Sequence, residues 1–186
     1  MESKIRDILE QIGENPMREG LIDTPKRVAK MYREIFYGYD ENRKPTVTTF
    51  DNGSDGLVYN EMIIDTGKFY SHCEHHMVPF FGKYWFAYIP SPSGKLIGLS
   101  KVARLVDYHS ARLQIQERLV NDIVLDIDTA LGSSNPPLGM GIVIEATHLC
   151  KVMRGVKKEG VMRTTKLIGV LKDDIGARTE FLNSIK

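Results

Sequence analysis

"GKYWFAYIP", residues 82–90, sets eight residues rich in aromatic and β-branched side chains ahead of a proline. Aromatic side chains fit a pleated surface better than a helix, so the stretch reads as a strand from Gly82 to Ile89. Working outward, Glu61 to Phe69, with the β-branched Ile63, Ile64 and Thr66 and the aromatic Phe69, reads as the strand before it. Beyond Pro90, "SPSGKLIG" (91–98) turns the chain into two helical patterns, roughly Lys101–His109 and Leu113–Leu131. After the loop "GSSNPPLG" (132–139), "MGIVIEATHLC" (140–150) reads as a third strand and Thr164–Leu171 as a fourth, with a short helix from Ala177. Two strands, two helices and two strands imply an α+β layer, an antiparallel four-stranded sheet with a helical pair on one face.

The N-terminal residues follow another rhythm. "IRDILEQIGENP" (5–16) places Ile5, Ile8, Leu9 and Ile12 on one helical stripe, ended by Gly13 and Pro16. "TPKRVAKMYREIFYGY" (24–39) predicts a second helix, with Thr24 as N-cap and Pro25 at its first position. "DENRKPTVTTFDNGSDG" (40–56) breaks every period and predicts a loop. The chain therefore divides into a helical arm, 1–50, and a body, 51–186.

Composition excludes several classes. The 186 residues carry 25 basic and 24 acidic side chains, a net charge of +1, so neither nucleic acid nor an anionic membrane is an expected partner. Any basic patch must be local and suited to a small anion. The N-terminus lacks a signal peptide's apolar core and no apolar run approaches the roughly 20 residues that span a bilayer, which reads as cytoplasmic. In such a compartment Cys73 and Cys150 are better read as metal ligands or nucleophiles than as a disulfide.

The chemistry concentrates in "SHCEHHMVPFFG" (71–82), which holds three of the five histidines and one of the two cysteines. Cys73 and His76 form a C-x-x-H pair able to share one Zn²⁺. A third donor is Cys150 in "EATHLC", at the end of a predicted strand; residues two apart in a strand share a face, so His148 would point into the same cavity. Three donors leave a fourth position open, as in catalytic zinc, and His75 and His148 could then move protons beside it. Core cysteines and a solvated turn would explain either cysteine alone. Metal ligation explains why both adjoin histidines. His72 could face solvent, and His109 could complement a helix dipole.

Other residues suit an anion and a purine. Ser100, Lys101, Arg104 and Arg154 supply a hydroxyl, a point charge and two guanidinium forks, a set fit for a polyphosphate. Glu117 offers two acceptors that match guanine's adjacent N1–H and 2-amino donors and mismatch adenine's edge. Ordinary solvated charges and a helix-surface ion pair are the plain alternatives.

"REGLIDTPKRVAKMY" (18–32), "CEHH" (73–76), "IGLSKVARLV" (97–106), "QIQERL" (114–119), "EATHLC" (145–150) followed by "MRGVKK" (153–158), and "RTEFL" (178–182) occur in order. With them the chain resembles type I GTP cyclohydrolase from about residue 5 to residue 183. The resemblance implies the tunnelling fold and a toroidal homodecamer with active sites between subunits. It implies zinc on Cys73, His76 and Cys150, proton transfer by His75 and His148, and support of a histidine by Glu74. Guanine would be held by Gln116 and Glu117, the triphosphate by Ser100, Lys101, Arg104 and Arg154. Arg27 and Lys30 would reach a neighbouring subunit's triphosphate.

The implied reaction opens the imidazole ring of GTP at C8 and releases formate. It then rearranges the ribose and closes to 7,8-dihydroneopterin triphosphate, toward tetrahydrofolate, pterin or 7-deazaguanine products. The chain departs from the family pattern at "EGVMRTTKLIG" (159–169), at "ERLVNDI" (117–123) and at Ala111, none of which removes a metal ligand or a proton carrier. Two other readings compete. A nitrile reductase of queuosine synthesis shares the tunnelling fold but would use a nucleophilic cysteine and NADPH; a zinc-stabilised oligomeric or regulatory module would need no proton carriers.

Overall fold

Alternation along the central strand organises the structure, a computed structural model that describes residues 1–186, Leu99 by its backbone alone. In chain order the elements are α1 (Glu2–Gln11), α2 (Thr24–Ile35), β1 (Thr49–Asp51), β2 (Ile63–Cys73) and β3 (Pro79–Ile89). Then come β4 (Lys95–Ile97), α3 (Leu99–Ser110), β5 (Leu113–Gln114), α4 (Gln116–Leu131) and β6 (Gly139–His148). α5 (Leu149–Val152), β7 (Val161–Gly169), α6 (Val170–Asp173) and α7 (Ile175–Ser184) complete the chain.

On β3, Phe80, Tyr84, Phe86 and Tyr88 are buried with Val102, Leu105 and Val106 of α3 and Leu119, Ile123 and Ile127 of α4. The opposite face is covered at one end, where Ala87 and Val143 meet Leu171, Phe181 and Ile185. Truncating a fully buried aliphatic such as Ile123 to alanine would cost about 2–5 kcal/mol through lost transfer energy and the cavity left behind.

The sheet order is β5-β2-β3-β6-β7, and the four long strands pair antiparallel, as expected of a tunnelling-fold subunit with α3 and α4 on one face. Several local expectations change. β5, expected inside a helix starting at Leu113, instead pairs parallel with His72 and Cys73 of β2, so α4 begins at Gln116. β1 pairs with β4 as a separate ribbon, so a division at residue 50 falls within a strand tied to the body. Thr24 is the first residue of α2 rather than its cap; Asp23 precedes the helix without a side-chain capping bond. β6 ends at His148, and Cys150 belongs to a short helical turn.

α1 buries none of its residues, leaving Ile8 and Ile12 of its apolar stripe exposed. None of the described helices is long and apolar enough to cross a membrane.

Candidate metal centre and active site

The β2–β3 connection presents the first donors. Cys73, at the end of β2, is buried; its N–H donates to Val78 O at 2.9 Å, and its carbonyl accepts from Met77 N at 2.8 Å. Closing this turn puts Met77 at φ +56°, a left-handed conformation that costs a side chain with a Cβ about 1–2 kcal/mol. The result carries His75 and His76 outward, both exposed, with His75 Nδ1 3.6 Å from Cys73 Sγ.

The last donor, Cys150, lies just past β6. Phe80 of β3 is the register partner of His148, and their rings stack at 4.5 Å with 3° between planes. Immediately afterwards α5 turns the chain over the end of the sheet. The ligand atoms of Cys73, His76 and Cys150 then lie within 4.8 Å of one another. A group of two thiols and one imidazole this close could hold a metal ion, and the donor chemistry fits zinc with a position to spare. Burial, and then the adjacent Cys73 thiol, push the Cys150 thiol above its ordinary value; a bound cation would reverse that by stabilising thiolate. Both cysteines are free thiols.

His148 is partly buried, and burial pushes its imidazolium below the ordinary histidine range. Its Nε2 lies 2.8 Å from Gln116 Oε1. Glu117, the next residue in the first turn of α4, is exposed, and its charge acts on His148 in the opposite sense to burial. A cavity of about 430 Å³ opens beside them, lined by His148, Cys150, Lys151, Gly160, Val161 and Met162.

The sequence matches the GTP cyclohydrolase I family over residues 1–186. It belongs to that family. GTP cyclohydrolase 1 of Bacillus subtilis (strain 168) is 47% identical over 188 residues, covering 100% of this chain and 94% of that protein. The Geobacillus kaustophilus (strain HTA426) protein of the same name is 48% identical, covering 100% and 95%. The crystal structure of the archaeosine synthase QueF-Like in the apo form covers 56% of this chain and 92% of its own at 13% identity, with a TM-score of 0.42, too loose to bear on fold or function.

Within one subunit, the residues expected for a GTP cyclohydrolase I site divide into two groups. Cys73, His75, His76, Gln116, Glu117, His148, Cys150 and Arg154 gather at the Cys73 end of the sheet, where Arg154 Nη1 lies 2.6 Å from His76 Nε2. Ser100, Lys101 and Arg104 do not join them. They occupy the start of α3, whose neighbour Val102 packs with Ile63 and Tyr88 around one pocket at the opposite end of β2. From Ile63 to Cys73 the strand runs roughly 30 Å at about 3.3 Å per residue. Arg27 is turned back on its own helix, donating to Thr24 Oγ1 at 2.9 Å and Gly20 O at 3.1 Å, and Lys30 is exposed.

Two partners were not evident in the sequence. Glu74 accepts from Arg118 Nη1 at 2.6 Å rather than from a histidine, and that hydrogen bond first, against slight desolvation, holds its carboxyl below the usual range. Arg118 thereby pins the metal-site turn to α4. Phe80 gives His148 its stacking surface; the strand alternation made it a core residue, but only the register with β6 sets it against an imidazole.

Proposed function

We propose that this chain is a zinc-dependent hydrolase that opens the imidazole ring of GTP, releases C8 as formate and recloses the remainder as 7,8-dihydroneopterin triphosphate. Two waters enter at the two hydrolyses and one leaves at ring closure, so the balance is one water consumed per GTP. The reading rests on one observation: a partly buried histidine outside the ligand set, His148, lines the same cavity as Cys150 of the Cys73–His76–Cys150 donor group. A purely structural metal site has no use for such a neighbour. Both cysteines lie inside the donor group, which leaves no separate thiol for the nitrile-reductase reading.

Cys73 and Cys150, as thiolates, and His76, as a neutral imidazole, would hold the zinc. When bound, zinc supplies Lewis acidity and lowers the pKa of a coordinated water to about 7. Glu117 accepts from the guanine N1–H and 2-amino group and so fixes which face of the base meets His148. His148, neutral in its half-buried setting, takes a proton and returns it to a departing purine nitrogen, with His75 as the second carrier on the exposed side. Arg154 holds triphosphate oxygens.

Ser100, Lys101, Arg104, Arg27 and Lys30 complete the triphosphate site only if another subunit brings its own α3 or α2 to the Cys73 end. The unburied stripe of α1 and the open edge of β7 are surfaces available for that assembly, a homo-oligomer for which ten subunits is the family expectation. Zinc-loaded protein incubated with GTP and then oxidised should yield a fluorescent pterin. Unchanged GTP would refute the proposal.

A further inference from the structure

Gln116 has almost no free surface, 1% exposed, and every hydrogen-bonding atom of its amide is committed to protein. Nε2 donates to Ile144 O and to Met162 O, both at 3.0 Å. Two carbonyls can be satisfied only by the NH₂ side of the amide, so the remaining atom facing His148 must be the oxygen. An amide oxygen accepts and cannot donate. His148 must therefore present Nε2–H to Gln116, which leaves Nδ1 as the nitrogen free to take up a proton.

The same contact sets the ring's direction. Phe80 restricts the plane of the imidazole by stacking at 3°, and Gln116 fixes its rotation within that plane. Anchored to β6 through Ile144 and to β7 through Met162, the amide is itself held rigidly. Both amide hydrogens are spent and Oε1 already accepts from His148, and with the residue 1% exposed the remaining lone pair has no open surface from which to read a base edge.

We infer that Gln116 is a positioning residue, which locks His148 in its Nε2–H tautomer and orientation, and that its side chain does not contact guanine. This rests on the reading of His148 as the proton carrier in GTP ring opening. Base recognition by side chain at this end then falls to Glu117, one residue along α4, which is exposed.

The test uses the full-length, zinc-loaded protein, with histidine ¹⁵N labelling and solid-state NMR, His148 being assigned by difference with His148→Gln. The wild type should show His148 with its proton on Nε2; a proton on Nδ1 would overturn the inference without any Gln116 variant. Gln116→Met keeps the length and removes the hydrogen bonds. It should retain zinc and the wild-type KM for GTP, lose the single tautomer, and lower kcat by about 10- to 100-fold, the usual cost of removing a partner that orients a functional histidine. A raised KM with unchanged kcat would overturn the inference in favour of base contact, as would a kept tautomer with unchanged kcat. If instead the wild type releases no formate, the proposed reaction fails while the tautomer result still decides the role of Gln116.

Discussion

Arg154 Nη1 donates to His76 Nε2 at 2.6 Å, and that bond is incompatible with a metal on His76. A neutral imidazole has one lone pair. If the metal takes Nε2, the acceptor is gone; if it takes Nδ1, Nε2 carries the proton and cannot accept. Loading the site should therefore release the Arg154 guanidinium for an anion. Arg154→Ala should bind zinc a few-fold more tightly, about 0.5–1.5 kcal/mol for one exposed hydrogen bond, and bind GTP more weakly. Competition against a chelating dye reads the first effect. Looser zinc binding in the variant would mean that Arg154 supports the metal rather than competing for it.

Removing the donors separates ligands from proton carriers. Cys150→Ser should lose both zinc and activity, since a hydroxyl is a poor replacement for thiolate. His148→Ala should keep roughly one zinc per subunit and lose turnover. Metal analysis checks both, and a metal-free His148→Ala protein would exchange the assigned roles.

Glu117 should read the base. Its truncation to alanine leaves two guanine donors unpaired in the pocket and should weaken GTP binding by about 2–4 kcal/mol with zinc retained. The wild type should reject ATP and handle inosine triphosphate poorly, because the latter lacks one of the two donors. Binding of all three nucleotides at saturating zinc checks this; unchanged GTP affinity in Glu117→Ala would remove Glu117 from base recognition.

Lys101 lies near the start of α3, whose Val102 packs by the Ile63 end of β2, while Cys73 closes the other end of that strand, which predicts that a working site borrows from a neighbour. Lys101→Ala and His148→Ala should each be inactive alone. Co-expressed, they should recover activity, about a quarter of wild type if subunits mix at random and two subunits form each site. No recovery in verified mixed assemblies would place both residues in one subunit's site.

His109 offers a pH test away from the metal. Its Nε2–H donates to Asp126 at 2.7 Å while Lys44 donates to the same carboxylate at 2.9 Å; Asp122 and Arg112 also face it. Burial dominates and pushes His109 below the ordinary value, so the unfolded chain takes up the proton first as pH falls through about 6.5. Stability should therefore decline from pH 7 toward pH 5. Burial raises Asp126, but the hydrogen bonds from Lys44 and His109 outweigh it, so the carboxylate's own contribution is lost only near and below pH 4. Urea midpoints at pH 7 and 5.5 should differ less in His109→Gln than in the wild type; an equal drop would assign the loss to other groups.

The sequence showed the four long strands, the helical pair and the C-x-x-H donor pair because these depend on local pattern. What it obscured depends on contacts far along the chain. "LCKV" carries no breaker, so the local pattern extends the strand through Cys150; in the fold β6 ends at His148, and α5 brings the thiol to Cys73. Leu113 and Gln114 fit a helical pattern but gain strand pairing from His72 and Cys73. Gln116 sits beside Glu117 in a motif suited to a base, yet its amide is consumed by carbonyls 28 and 46 residues away. No local periodicity carries that information.

The most direct measurement follows the carbon that must leave. GTP labelled with ¹³C at C8 is mixed with zinc-loaded, assembled protein, and the products are read by ¹³C NMR. The label should appear as formate, one per pterin formed, with none retained in the heterocycle. Label that stays in an intact purine, or a pterin that still carries it, would contradict the account.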